Sequence, residues 1–138
     1  DLGLTNEIDM QEIVGYDFDL IVEEDSGDSF TLTQSRVARV IEKAIEIEFP
    51  TDGKEVKPNF WAKWKNPDPG FKFSYHVKIY TNDDFTPELV WQQDNIPAEV
   101  ESVNVHLDVE TTYAWEVWCV DEFNNRAASL QTSFNVKE

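Results

Sequence analysis

The spacing of the apolar residues confines this chain more than any other feature. They recur at every second position in short runs, with turn signals about every eight to twelve residues. A period of two places successive side chains on opposite faces of an extended strand, so the pattern calls for sheets with one buried face rather than for helices. The clearest run is "TTYAWEVWCVDEFNN", residues 111–125, which alternates bulky and smaller groups and then breaks into acids and paired Asn. Its phase puts Tyr113, Trp115, Val117 and Cys119 on one face and Ala114, Glu116, Trp118 and Val120 on the other. The first set is the expected core set.

Further strands are expected near 16–23, 29–40, 44–49, 59–65, 73–81, 88–93, 102–107, 112–121 and 128–136. "EDSGDS", "PTDG" and "NPDPG" punctuate them with residues that favour turns. The one stretch with helical character, "RVARVIEKAIEIEF", passes in its second half into alternation of Ile45, Ile47 and Phe49, where β-branching favours a strand. The phase of these runs sets Phe60, Ala62, Trp64, Tyr75, Val77, Ile79, Val103, Val105, Leu107, Leu130, Phe134 and Val136 in the same core, between two packed sheets.

From Ile45 to residue 137 the order of signals resembles a fibronectin type III module of bacterial surface and envelope proteins. "IEIEFPTDGKEV" is similar to that family's first strand and turn, "NFWAKWK" to its second strand with Trp64 as the core tryptophan, and "YHVKIYTNDDFT" to its third. In "LDVETTYAWEVWCVDEFNN", Leu107, Thr111 and Tyr113 fit the family's Leu-x-Pro-x-Thr-x-Tyr corner, with Val109 in place of Pro and Asn124-Asn125 in place of Gly-Asn. The resemblance implies an all-β fold: a seven-stranded fibronectin type III-like sandwich over 45–138. It also implies a tyrosine corner, in which the Tyr113 hydroxyl reaches backbone near the preceding turn.

Residues 1–44 fall outside the resemblance. "GYDFDLIVEEDSGDSFTLTQSRVARV" reads as an acidic β-hairpin with Tyr16, Phe18, Leu20 and Val22 in one phase, the end of a preceding sandwich. A two-stranded hairpin is marginal alone and has free edges. The hairpin is therefore expected either to pack against the fibronectin-like unit or to pair with the same hairpin of a second molecule, giving a homodimer by strand addition or exchange.

Charge narrows the partners. A formal net charge of −17, with ten acids in the first 35 residues, opposes binding to phosphate backbones and anionic membrane surfaces. Nucleic acid is not an expected partner, and no apolar run is long enough to insert in a bilayer. No basic and apolar leader precedes the first strand, so an export signal is either absent or already removed. A single cysteine, Cys119, permits no internal disulfide and suits an exported protein that avoids thiols.

No residue set converges on catalysis. His76 and His106 sit on outward phases, Cys119 faces the core, and no serine has a base partner in view. No cofactor is expected. The acidic loops supply oxygen ligands of the kind calcium takes, without EF-hand spacing, and solvated turn acids are the simpler account. The best functional signal is aromatic: Tyr80, Trp91 and Trp118 on the outward phase of one sheet, and Trp61 outside the other. Two readings stay open. One is a non-enzymatic binding or spacer module of an exported bacterial protein, in the envelope, periplasm or surface and lipoproteins included, acting through protein contacts. The other is a carbohydrate-binding module in which Tyr80, Trp91 and Trp118 stack on sugar rings.

Overall fold

The computed structural model describes the backbone of residues 17–23 and 29–36, and residues 39, 41, 43–82, 86–109 and 111–138 with their side chains. The chain divides into two compact units between residues 42 and 43. In the first, β1 (Asp17–Glu23) pairs antiparallel with β2 (Ser29–Arg36), with Leu20 opposite Leu32 and Val22 opposite Phe30. The turn between them, the side-chain faces of this pair and the dimer contact expected there lie outside the described residues.

The second unit is a β-sandwich. Its strands are β3 (Glu46–Phe49), β4 (Lys54–Val56), β5 (Asn59–Lys65), β6 (Phe73–Thr81), β7 (Leu89–Pro97), β8 (Ser102–His106), β9 (Thr111–Asp121), β10 (Arg126–Ala128) and β11 (Thr132–Val136). One sheet runs β3-β5-β8; the other runs β4-β11-β9-β6-β7, with β10 also on β9. All pairs are antiparallel except β4 with β11. No helix among the described residues is long and apolar enough to cross a membrane.

Among the described residues nine segments stand where seven strands are expected, because the first and last runs are each broken. After β3 the chain leaves the small sheet through residues 50–53, where Asp52 and Gly53 take positive φ of 47° and 73°. Glycine adopts that region at no steric cost, and a short polar side chain tolerates it. The segment then docks on β11: Asp52 donates its N–H to Thr132 Oγ1 at 3.0 Å, and Gly53 to the Ser133 carbonyl at 2.8 Å. β4 follows as three residues parallel to β11, Val56 opposite Val136.

The second break is at Ser129. Its N–H donates to the Val117 carbonyl at 2.8 Å and its hydroxyl accepts the Val117 N–H at 3.0 Å, so one serine satisfies both backbone groups of Val117. Leu130 is then free to turn outward and is 88% exposed, which corrects its expected core position. Strand phase predicts burial only where the ladder is continuous.

The core lies between the sheets. Phe60, Ala62 and Trp64 of β5 and Val103 and Val105 of β8 meet Tyr75, Val77, Ile79, Trp115, Val117, Phe134 and Val136, all buried. Edge-on rings link the layers: Phe60 with Phe134 at 5.3 Å between centroids, and Trp64 with Tyr75 at 5.2 Å. The Tyr113 hydroxyl donates to the Asp108 carbonyl at 3.3 Å, closing the corner that leads into β9. At the other end of β9, Asp121 accepts N–H bonds from Phe123 and Asn125 and the Asn125 side-chain amide, each at 2.9 Å. Asn124 takes a positive φ of 65° in that turn.

The register also fixes where the chain joins and leaves this unit. Glu46 of β3 lies opposite Lys65, at the far end of β5 from Asn59. β11 ends beside β4, with the Lys137 N–H bonded to the Val56 carbonyl at 2.9 Å, two residues before Pro58 leads into β5. The first and last strands therefore meet opposite ends of the sandwich, roughly 20 Å apart along a seven-residue strand.

Trp64 and Trp115 are fully buried, so Trp64→Ala and Trp115→Ala should each lower stability by about 3–5 kcal/mol in urea denaturation. Trp61, 55% exposed, should lose far less on the same change. A larger loss at Trp61 than at Trp64 would overturn this core.

Candidate functional site

Two outward faces carry the aromatic residues of interest. On the large sheet, β6 and β9 are neighbours, with Lys78 opposite Glu116 and His76 opposite Trp118. Alternation sends Lys78, Tyr80, Glu116 and Trp118 to the solvent side because Val77, Ile79, Trp115 and Val117 fill the core. Glu116 organises the group. Its Oε1 accepts the Trp118 indole N–H at 2.8 Å and the Tyr80 hydroxyl at 3.2 Å. Lys78 Nζ lies 5.2 Å from the centroid of the Trp118 ring, within cation–π range. His76 Nδ1 stands 3.4 Å from Asp94 of β7. Burial, then the Glu116 charge and hydrogen bond, raise the Tyr80 hydroxyl above its ordinary pKa.

This network ties down both aromatics. Trp118 is half-buried, its N–H is bound and one ring face lies under an ammonium. Trp91 does not join them. It pairs with Ile79, a core-facing residue, because Val90 is an extra residue between the Ile79–Trp91 and Tyr80–Leu89 pairs. That bulge reverses the phase, so the expected platform of Tyr80, Trp91 and Trp118 is corrected to Tyr80 and Trp118. Leu89, opposite Tyr80 and 47% exposed, takes the third place on that face.

On the small sheet, Trp61 stands on the central strand, opposite Asn104, with Asn59 and Lys63 on the same face. His106, opposite Asn59, places Nδ1 2.9 Å from Asn59 Oδ1. β3 ends at Phe49, opposite Lys63, so no β3 residue stands beside Trp61. Trp61 and Trp118 belong to different sheets.

The residues assigned to the core by sequence are placed as follows: Trp64, Tyr75, Leu107, Tyr113, Trp115, Cys119 and Phe134 are all buried. Sequence reasoning missed Glu116 as the organising acceptor. Its signal was present, since it lies two residues from Trp118 on the same strand face. Among the described residues no three His, Cys, Asp or Glu side chains converge as metal ligands would.

Burial moves the Cys119 thiol up from 9.0 to about 11, with the Asp121 charge adding to it. That leaves the thiolate scarce at neutral pH and the sulfur unsuited to attack. Burial likewise carries the Tyr75 hydroxyl up from 10.0 to about 12. The folded chain therefore holds both protons more tightly than the unfolded chain. Their contribution to stability is complete below pH 9 and is drawn down as pH rises through 11 toward 12. Urea denaturation between pH 8 and 11 should show stability falling on the alkaline side, less steeply in Cys119→Ala. An identical slope in that variant would show that the thiol is not shielded. No protein-family model matches this chain, and no curated protein matches it either, so the assignment of these faces rests on their own geometry.

Proposed function

We infer that the second unit is a fibronectin type III-like module serving as a non-enzymatic binding or spacer element of an exported bacterial protein. One observation carries the reading: β3 begins and β11 ends at opposite ends of the sandwich. An in-line unit of this kind adds its full length to a chain of domains. Support for the fibronectin-like reading comes from the two sheet orders, the break of the first strand between sheets and the Tyr113 corner, together with the sequence motifs that led to it. Sandwiches of many families share an architecture, so the functional step rests on analogy of fold.

Protein contact is favoured over sugar stacking on the large sheet. Tyr80 and Trp118 are both hydrogen-bonded to Glu116, and Lys78 lies over the Trp118 ring where a pyranose would stack. A patch of half-buried aromatics whose polar groups are already hydrogen-bonded suits a protein-contact surface. Placement in the envelope, periplasm or surface is supported by the motif resemblance and by a single, shielded thiol.

The purified chain should give no turnover above blank with chromogenic ester, peptide and glycoside substrates. An activity that vanishes when one surface carboxylate is replaced, with the fold intact, would overturn the reading.

A further inference from the structure

Trp61 is the exposed aromatic with the least to do. It is 55% exposed on the central strand of the small sheet. Its surroundings are polar on every side that has a neighbour: Asn104 across the strand pair, and Asn59 and Lys63 two positions away along its own strand. His106 completes the rim by holding Asn59 at 2.9 Å. On the fourth side no β3 residue is paired beside Trp61, because β3 has already turned away toward β4.

The size of this patch limits what it can bind. A tryptophan offers on the order of 150–250 Å² of apolar surface, whereas a stable protein interface needs about 800 Å² from each partner. On the described outward face of the small sheet, β5 and β8 present Asn59, Lys63, Lys65, Ser102, Asn104 and His106 around Trp61, and half-buried Phe49 of β3, in register with Lys63, adds too little apolar surface to reach that area. One ring bordered by amides, an imidazole and an ammonium matches a ligand that is itself a ring with an apolar face and a hydroxylated edge. Such a ligand lays its C–H face on the indole and turns its hydroxyls to donors and acceptors at the rim. A net charge of −17 repels sulfated or uronate-rich chains and leaves neutral ones.

We propose that Trp61, with Asn59, Lys63, Asn104 and His106 around it, forms a binding site for a pyranose ring of a neutral glycan. Trp61 supplies the stacking surface and Asn104 and Asn59 the hydrogen bonds that orient the ring. This goes beyond the protein-contact reading of the large sheet and does not depend on it, since the two faces belong to different sheets.

The test uses the full chain, retained on insoluble cellulose and chitin and titrated by tryptophan fluorescence with cellohexaose, maltohexaose and chitohexaose. Binding to at least one of these is expected, at least tenfold weaker in Trp61→Ala and several-fold weaker in Asn104→Ala, and unchanged in Trp118→Ala. Trp61→Phe, which keeps a smaller ring, should retain part of it. Thermal melting of each variant separates lost binding from lost folding, and Asn104→Ala carries the test if Trp61→Ala does not fold. No binding of the parent chain to any probe overturns the proposal. So does binding that survives in Trp61→Ala, or that is lost equally in Trp118→Ala. Hydrolysis of a bound probe would leave the Trp61 site standing and overturn the non-enzymatic reading instead, so the two fail separately.

Discussion

Trp115 makes the interaction on which the two-layer arrangement turns. Its indole is fully buried in the middle of β9, the strand that pairs with β6, β10 and β11, and its N–H donates to the Pro50 carbonyl at 2.9 Å across 65 residues of sequence. A buried indole N–H without an acceptor costs about 1–3 kcal/mol, so packing this ring also requires the carbonyl to be there. Pro50 stands where the chain leaves the small sheet, and residues 52 and 53 are bound to β11 immediately afterwards. One aromatic thus sets how the first strand crosses from one layer to the other. Without that crossing β4 would not reach β11.

The same alternation that builds the core decides what faces outward, because each strand that supplies inward residues must present its other phase to solvent. On β9 the outward phase includes Glu116 and Trp118; on β5 it includes Trp61 and Lys63. The two faces differ in how far they are satisfied internally. Glu116 accepts from the polar groups of both aromatics beside it, whereas among the described residues Trp61 has Asn104 opposite and Asn59 and Lys63 along its own strand face. Two aromatic faces on one scaffold can therefore differ in chemistry although strand phase alone treats them alike.

The period-two pattern made β5 and β9 legible because each pairs without a register shift along one edge, β5 with β8 and β9 with β6, and Phe60, Ala62, Trp64, Tyr113, Trp115 and Cys119 are buried in that phase. It failed where the ladder is interrupted. Leu130 keeps the phase of Phe134 in sequence, yet Ser129 takes over the backbone groups of Val117 and the residue turns outward. Trp91 reverses its face because Val90 is inserted opposite the β6 ladder, and a run of "LVWQQ" carries no local mark of where that extra residue falls. β4 was invisible for another reason. Three residues after a Gly show no period, and what makes them a strand is a parallel partner some 80 residues away. Burial also spreads beyond the phase at the ends of β9, where Ala114, Val120 and Asp121 are covered by neighbouring strands and turns.

The parallel pairing of β4 with β11 has a mechanical consequence. These strands lie near the start and end of the unit, run in the same direction and are paired at Phe134–Lys54, Asn135–Glu55 and Val136–Val56. Tension applied between the first and last strands draws the chain backward along β4 and forward along β11, so the two strands are sheared past one another. Their cross-links, including the Asn135 amide donating to the Gly53 carbonyl at 3.1 Å and the Lys137 N–H to Val56, then bear the load together. A hairpin pulled open from its free ends would instead lose its bonds one at a time. Pulled along its length, this sandwich resists through a lap joint rather than a zipper.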